Sequence, residues 1–292
     1  MKMELKIIGS AGTNPIPKLY CNCDLCVQAR RKGMPYKRRS SSFFIKELDS
    51  VFEIPNDLRY SLNFELASLV KNLFVTSQNL ESFDGLRLLS TIVSLKRKSG
   101  LVKSIKSKKL RLFLPFSFNR NPAILDWIKN HISSCDLEVV FVEIGKSFEL
   151  NKCIITPFKI NLNNDLGFVI YNGNKTIVIA LHTIKHLRVM ENELNAIMAK
   201  DNKKKINLLI TRQPFVLAKK AFEGMDINKD FQLQYYSTKE IFELIKEFNI
   251  KRTLFLSIEE EFGLSYDDYK RLDEIYKEFG VVFGYDGLNL KV

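Results

Sequence analysis

Three cysteines lie within six residues, Cys21-x-Cys23-x-x-Cys26, in what reads as a loop just after Asn14-Pro15-Ile16-Pro17, and they are the strongest chemical signal in the chain. Thiolates this close can wrap one tetrahedral zinc ion, leaving a single vertex for a residue from elsewhere. Free reduced thiols are the competing reading. In a cytoplasmic chain, such spacing points to metal thiolates before disulfides. Arg30, Arg31, Lys32, Lys37, Arg38 and Arg39 follow. They would lower the thiol pKa values electrostatically, or they form only a solvated face. Cys135 and Cys153 sit in strand-like surroundings and read as buried small hydrophobes.

Imidazole is scarce: only His131, His182 and His186 occur in 292 residues. Many metallohydrolases hold their catalytic ions with four or more histidines, which this chain cannot supply. His182 and His186 are four apart and would share a helical face. With Glu81 they form one alternative metal set, against the simpler reading of ordinary loop and helix histidines. Asp84 and Asp286 read mainly as a helix-start residue and a turn residue.

Basic residues outnumber acidic ones by 45 to 33, a formal net charge of +12. Lys96, Arg97, Lys98, Lys103, Lys106, Lys108 and Lys109 cluster in and after a helical segment, and Lys203, Lys204 and Lys205 precede a strand. Such clusters can neutralise nucleic-acid phosphates. No aromatic platform of recognisable spacing accompanies them, so a lysine-rich solvated surface is the plainer account.

The elements that must position these groups follow from periodicity. At 46% hydrophobic and 27% charged, the composition excludes disordered and collagen-like classes. No apolar run approaches the roughly 18 residues of a membrane span. The opening MKMELKIIGSAG reads as a short strand and glycine turn rather than a secretory signal. A cytoplasmic protein with no membrane association is expected, folded as a single domain over 1–292. Alternation predicts strands at 5–9, 43–48, 51–54, 73–76, 111–114, 137–142, 154–160, 167–171, 176–181, 206–210, 253–256 and 281–283. Helices are predicted at 57–70, 83–96, 122–131, 184–198, 238–248 and 266–279, the second with an apolar stripe of Leu86, Leu89 and Val93. Hairpin-like early strands and helix-interleaved later ones imply a layered α/β sandwich with mixed sheets.

The stretch IGSAGTNPIPKLYCNCDLCVQARRKGMPYKRRSSSFFI resembles the N-terminus of metallo-β-lactamase-fold proteins of the PqqB and PhnP kind. The likeness continues through Asp57-Leu58-Arg59, Thr156-Pro157-Phe158, Leu166-Gly167-Phe168 and Tyr285-Asp286-Gly287, and so spans the whole chain. It implies an αββα sandwich of two mixed β-sheets flanked by helices, with the active site on loops at the strand ends. That family's chemistry depends on a Thr-His-x-His-x-Asp-His loop, matched here by 76–86. Thr76, Gly85 and Leu86 keep its frame. Ser77, Asn79 and Ser82 replace the three histidines and Glu81 the aspartate. A further family histidine falls near Asn161 or Leu162, the bridging aspartate on His182, and the late histidine on Ser257. In PhnP-like relatives a histidine completes the cysteine site, and its position is Glu260.

Neutral hydroxyls and amides are poor zinc ligands beside imidazole, so the resemblance implies a dinuclear site that has lost its ligands. The expectation is a non-hydrolytic ligand-binding or scaffold protein. It would carry one structural zinc on Cys21, Cys23, Cys26 and Glu260 and no catalytic metal. Its partner would be a protein or a small anionic ligand, with nucleic acid as the alternative offered by the basic surface. The competing expectation is a metal-dependent hydrolase, by analogy a phosphodiesterase, using a non-standard site.

Overall fold

The computed structural model describes residues 2–62, 69–88, 110–132, 137–182, 187–200, 205–215 and 235–292. Two seven-stranded sheets face each other. The first, in spatial order, runs β14 (Asn289–Lys291), β1 (Glu4–Gly9), β2 (Ser42–Ile45), β3 (Ser50–Phe52), β4 (Asn72–Phe74), β5 (Leu110–Pro115) and β6 (Leu137–Val142). The second runs β13 (Val281–Phe283), β12 (Thr253–Leu256), β11 (Leu208–Arg212), β10 (Thr176–Ala180), β9 (Leu166–Tyr171), β8 (Cys153–Lys159) and β7 (Phe148–Leu150). Each sheet is antiparallel in one half and parallel in the other. β3 to β6 and β10 to β13 form the parallel halves.

Side chains on a strand alternate between faces, and the second sheet is buried on both. Ile177 and Ile179 enter the layer between the sheets, while Val178 and Ala180 enter the layer beneath the helices. In the central layer, the register places Phe43 opposite Phe52, Phe52 opposite Phe74 and Phe74 opposite Phe113. Their rings stack at 5.1, 4.5 and 4.4 Å between centroids, a ladder that fixes the register of the first sheet.

Among the described residues, the helices with both ends placed are α1 (Asp24–Lys32), α2 (Leu80–Phe83), α3 (Pro122–Ile132), α4 (Arg188–Lys200), α5 (Thr238–Glu247) and α6 (Tyr266–Ile275). Met190 and Leu194 of α4, Ile241 and Leu244 of α5, and Tyr269 and Leu272 of α6 cover the outer face of the second sheet. Reciprocal caps start α5 at Ser237 with Glu240 and α6 at Ser265 with Asp268. The expected αββα sandwich is therefore present.

Four local expectations differ from the structure. The segment predicted as a helix over 57–70 opens instead as a 3-10 turn at Asn56–Tyr60; 63–68 lie outside the described residues, and Leu69 beyond them is helical. The one predicted over 83–96 is the single turn α2 followed by a 3-10 turn at Asp84–Leu88, with 89–96 also outside them. Gly85 explains the tight turn, because a Cβ there would lie 2.3 Å from the Pro55 carbonyl oxygen. The cysteine motif does not lie wholly in a loop. Cys23 is the N-cap of α1 and Cys26 is in its first turn. Two three-residue edge strands, β7 and β14, are additional to those predicted.

Candidate functional site

Two groups of chemically capable side chains occur at the same end of the sandwich. The first is built on α1. Its N-cap Cys23 and first-turn Cys26 are joined by Cys21 from the preceding loop and by Glu260, which opens a 3-10 turn at Glu260–Phe262. The four potential ligand atoms lie within 4.8 Å of one another, so the structure brings the sequence-predicted set together. The Glu260 Oε1 is 3.5 Å from the Cys23 sulfur and 3.7 Å from the Cys26 sulfur. A tetrahedral ion with metal–sulfur bonds of about 2.3 Å needs ligand–ligand edges of roughly 3.8 Å, so this donor set fits zinc in size and chemistry.

Positive groups surround these donors. Lys18 pairs with Glu260, and its own backbone N–H donates to the Cys26 sulfur at 3.3 Å. Arg30 donates to the carbonyls of Cys21 and Lys18, which ties the loop to the helix. The basic run does not act on the thiols as expected from sequence. Cys21 is lowered chiefly by the backbone N–H of Cys23. Burial raises Cys23 and pushes Cys26 up to about 12. Arg38 instead is buried, 4.8 Å from the Tyr269 ring and donating to the Leu264 carbonyl at 3.0 Å.

The second group is a cleft where strands β3, β10, β11 and β12 end. It has a cavity volume of about 30 Å³, room for one or two waters. Glu81, Ser82, His182 and Ser257 line it, together with Glu53 and Arg212. His182 Nε2 is 3.1 Å from the Ser82 hydroxyl and 3.7 Å from Glu53 Oε2. Burial by itself would lower the His182 pKa, but the adjacent Glu53 carboxylate, with Asp165, outweighs it and the net shift is upward. Glu53 also accepts from the backbone N–H of Thr76 at 3.1 Å.

Arg212 forms a buried ion pair with Glu259 and donates to the Tyr235 hydroxyl at 3.1 Å. The Thr13 N–H donates to Glu259 at 3.0 Å, and a Cβ at Gly12 would lie 2.2 Å from that carboxylate. Glycine is needed there for the close approach. Glu53 and Ser257 have φ values of 63° and 51°, left-handed conformations at two cleft-lining positions. Each non-glycine residue so held costs on the order of 1–3 kcal/mol.

The remaining predicted positions separate. Ser77 is buried and accepts from the Asn79 N–H at 3.1 Å, while Asn79 is exposed, and neither lines the cleft. Asn161 donates to the His182 carbonyl at 3.1 Å and to Asp165 at 2.7 Å, whereas Leu162 is 79% exposed. Asp84, expected to start a helix, closes α2 and opens the 3-10 turn, and burial raises its pKa. Asp286 is more than a turn residue. It accepts from Ser10 and Arg39, and burial pushes its pKa up to about 7. Cys153 is buried as predicted. Cys135, His186 and Lys96 to Lys109 lie outside the described residues, as do Lys203 and Lys204, and the His131 side chain is not described. Among the described residues, Glu81 and His182 join no group of three clustered metal-binding side chains.

Glu53, Arg212 and Glu259 were not singled out from the sequence. The signal was there for the first two: each is a charged residue closing an apolar strand, in Val51-Phe52-Glu53 and Leu209-Ile210-Thr211-Arg212. The run Glu259-Glu260-Glu261 could be read as a solvated face. Instead Glu259 is 2% exposed, Glu260 faces the thiols, and Glu261 pairs with Asn14 at 3.4 Å.

No family model matches the chain, and no curated protein matches it. Solved structures do. The chain is similar to zinc-bound PqqB from Methylobacterium extorquens at 15% identity and a TM-score of 0.69, covering 98% of this chain and 99% of that one. It is similar to the metallo-β-lactamase fold protein YhfI from Bacillus subtilis at 10% identity and a TM-score of 0.65, covering 100% of both. A diphosphatase from the PhnP family shares 15% identity with a TM-score of 0.64, over 100% of this chain and 98% of that one. The chain has the metallo-β-lactamase fold, with PqqB and PhnP-family structures among its neighbours.

Proposed function

We propose that this chain is a non-hydrolytic protein on the metallo-β-lactamase fold, a ligand-binding or scaffold protein that carries one structural zinc on Cys21, Cys23, Cys26 and Glu260. The observation that carries this reading is the state of the strand-end cleft. Its two basic side chains are each paired internally, His182 with Glu53 and Arg212 with Glu259, around a cavity of about 30 Å³. Metal-assisted hydrolysis needs an ion held closely enough to lower the pKa of water from about 15.7 toward 7. Ser77, Asn79 and Ser82 offer no imidazole for that, and His182 Nε2 already faces Ser82 and Glu53.

What supports a binding role is the strain retained at Glu53 and Ser257, which a merely filled cleft would not need. The proposed partner is a small anionic ligand at the cleft or a protein, and a cytoplasmic location is part of the same reading. The test is turnover of bis(p-nitrophenyl) phosphate and cyclic nucleotides with added zinc, manganese or iron, alongside emission spectroscopy of the protein as purified. No turnover and one zinc per chain are expected. Metal-dependent turnover abolished by Glu81→Ala or His182→Ala would overturn the reading in favour of a hydrolase.

A further inference from the structure

The end of the sandwich opposite the cleft carries a second feature, set by the parallel register of the second sheet. β10, β11 and β12 pair with Ile177 opposite Leu208 and Leu209 opposite Thr253. Residues just before each strand therefore meet along one edge, and each of these three approaches contains lysine: Lys175, Lys205 and Lys251. Backbone bonds lock the three turns together. The Asn207 N–H donates to the Thr176 carbonyl at 2.8 Å, the Lys251 N–H to that of Ile206 at 2.9 Å, and the Leu209 N–H to that of Arg252 at 2.9 Å. Arg252 reaches the first sheet by donating to the Lys291 carbonyl at 3.3 Å.

Two adjoining hollows result, of about 330 and 290 Å³, both bordered by Lys175 and Lys291. Lys2 borders the first, and Lys251 and Arg252 the second. Among the described residues, the one carboxylate paired with any of these cations is Glu4, 3.5 Å from Lys291. Lys251 stands close enough to Lys205 to hold its ammonium below the usual lysine value, as expected of like charges gathered without a counterion. Such an arrangement costs energy unless a polyanion offsets it.

We infer that the groove formed by Lys2, Lys175, Lys251, Arg252 and Lys291 binds the phosphodiester backbone of a nucleic-acid duplex. The spread of cations over two joined hollows suits a run of phosphates better than one. Among the described residues, no aromatic ring borders either hollow, which leaves no stacking platform for unpaired bases. Binding is sequence-independent and driven by counterion release. It is independent of the role proposed for the cleft, which lies at the other end of the same strands.

Fluorescence anisotropy with a short labelled DNA duplex tests this on the full chain. Affinity should fall by more than about tenfold between 50 and 200 mM salt. Lys175→Glu with Lys251→Glu should weaken binding by about tenfold or more at low salt and flatten the salt dependence. Lys146→Glu with Lys239→Glu, an equal charge change at two exposed sites paired with Glu143 and Glu243, should leave most of the affinity. Equal loss in both double variants would reduce the effect to net charge and overturn the assignment. So would wild-type binding by the first variant, or absence of binding at low salt. Sedimentation with phosphatidylserine vesicles but no response to the duplex would overturn it too, marking a membrane-facing surface instead.

Discussion

At the cysteine cluster, three sulfurs and a carboxylate oxygen face one another within 4.8 Å, and Lys18 and Arg30 hold the edges of the loop. At the cleft, two acidic groups face basic side chains instead, Glu53 with His182 and Glu259 with Arg212. The two regions share one stretch of backbone. Ser257 lines the cleft, Ile258 exchanges backbone bonds with Ser10 and Gly12, Glu259 holds Arg212, and Glu260 faces the thiols. Adjacent glutamates thus do opposite work. One neutralises an internal cation, and the other leaves an oxygen directed at donors that attract an external one. Converging thiols and a carboxylate offer an ion a ligand set to which the thiols lose their protons on binding, whereas a carboxylate paired with an internal cation has less need of one.

The largest expected effect breaks the first region. Cys23→Ser should take the zinc content of the purified protein from one per chain to near zero. With free zinc a thousandfold above Kd, binding to the folded chain alone contributes about 4.1 kcal/mol, so the variant should unfold at correspondingly lower denaturant. Full zinc content with an unchanged melting temperature would remove the metal from this loop. Glu260→Gln sharpens the result, because a neutral amide is the weaker ligand. Undiminished zinc affinity there would leave the cysteine site standing without Glu260.

Breaking the second region should cost somewhat less. Arg212→Ala leaves Glu259, 2% exposed, as a buried carboxylate without its cation. Loss of one partner of such a pair costs about 3 kcal/mol or more, measurable by urea unfolding. Replacing both partners together, Arg212→Met with Glu259→Gln, should cost less than the single change, because no uncompensated charge remains. If Arg212→Ala costs under about 1 kcal/mol, the pair behaves as a surface bridge and the cleft is wetter than its geometry implies.

The same contrast explains what could be read from the sequence. The cysteine set was legible because three ligands lie within six residues, so chain proximity alone places them together. The fold was legible because buried strands such as Thr176-Ile177-Val178-Ile179-Ala180 are continuous apolar runs. The pairings in the cleft were hidden, since Arg212 and Glu259 are 47 positions apart and meet only through the parallel pairing of β11 with β12. The strands β7 and β14 were missed because Phe148-Glu149-Leu150 and Asn289-Leu290-Lys291 mix polar and apolar residues over only three positions, whereas the equally short edge strand β13 is the apolar run Val281-Val282-Phe283. Helix α1 was hidden by its own chemistry. Cysteine makes no strong cap, and the basic run Arg30-Arg31-Lys32 that suits a helix C-terminus reads equally well as a solvated tail.

The smallest expected effect concerns pH. The His182 pKa is raised in the folded protein above its usual 6.5, so the imidazolium is favoured by folding. Its contribution to stability is fully present below the unfolded pKa and is lost as pH rises through the folded one, above 6.5. Asp286 gives the same sign in a lower window. Its pKa rises from 3.8 to about 7, so that its contribution is lost between those values. Comparing unfolding midpoints of the natural chain and His182→Gln separates the two, because the Asp286 contribution is common to both. The difference between them should shrink as pH increases from 6 to 9, by about 1 kcal/mol for each unit of upward shift. Glutamine keeps a polar atom within reach of Ser82, so the pH dependence, rather than the offset at any one pH, reports the Glu53 pair. A difference that stays constant across this range would mean that His182 is not charged in the fold. The cleft would then hold Glu53 as a buried carboxylate without a charged partner, and a cation from solution would become the expected occupant.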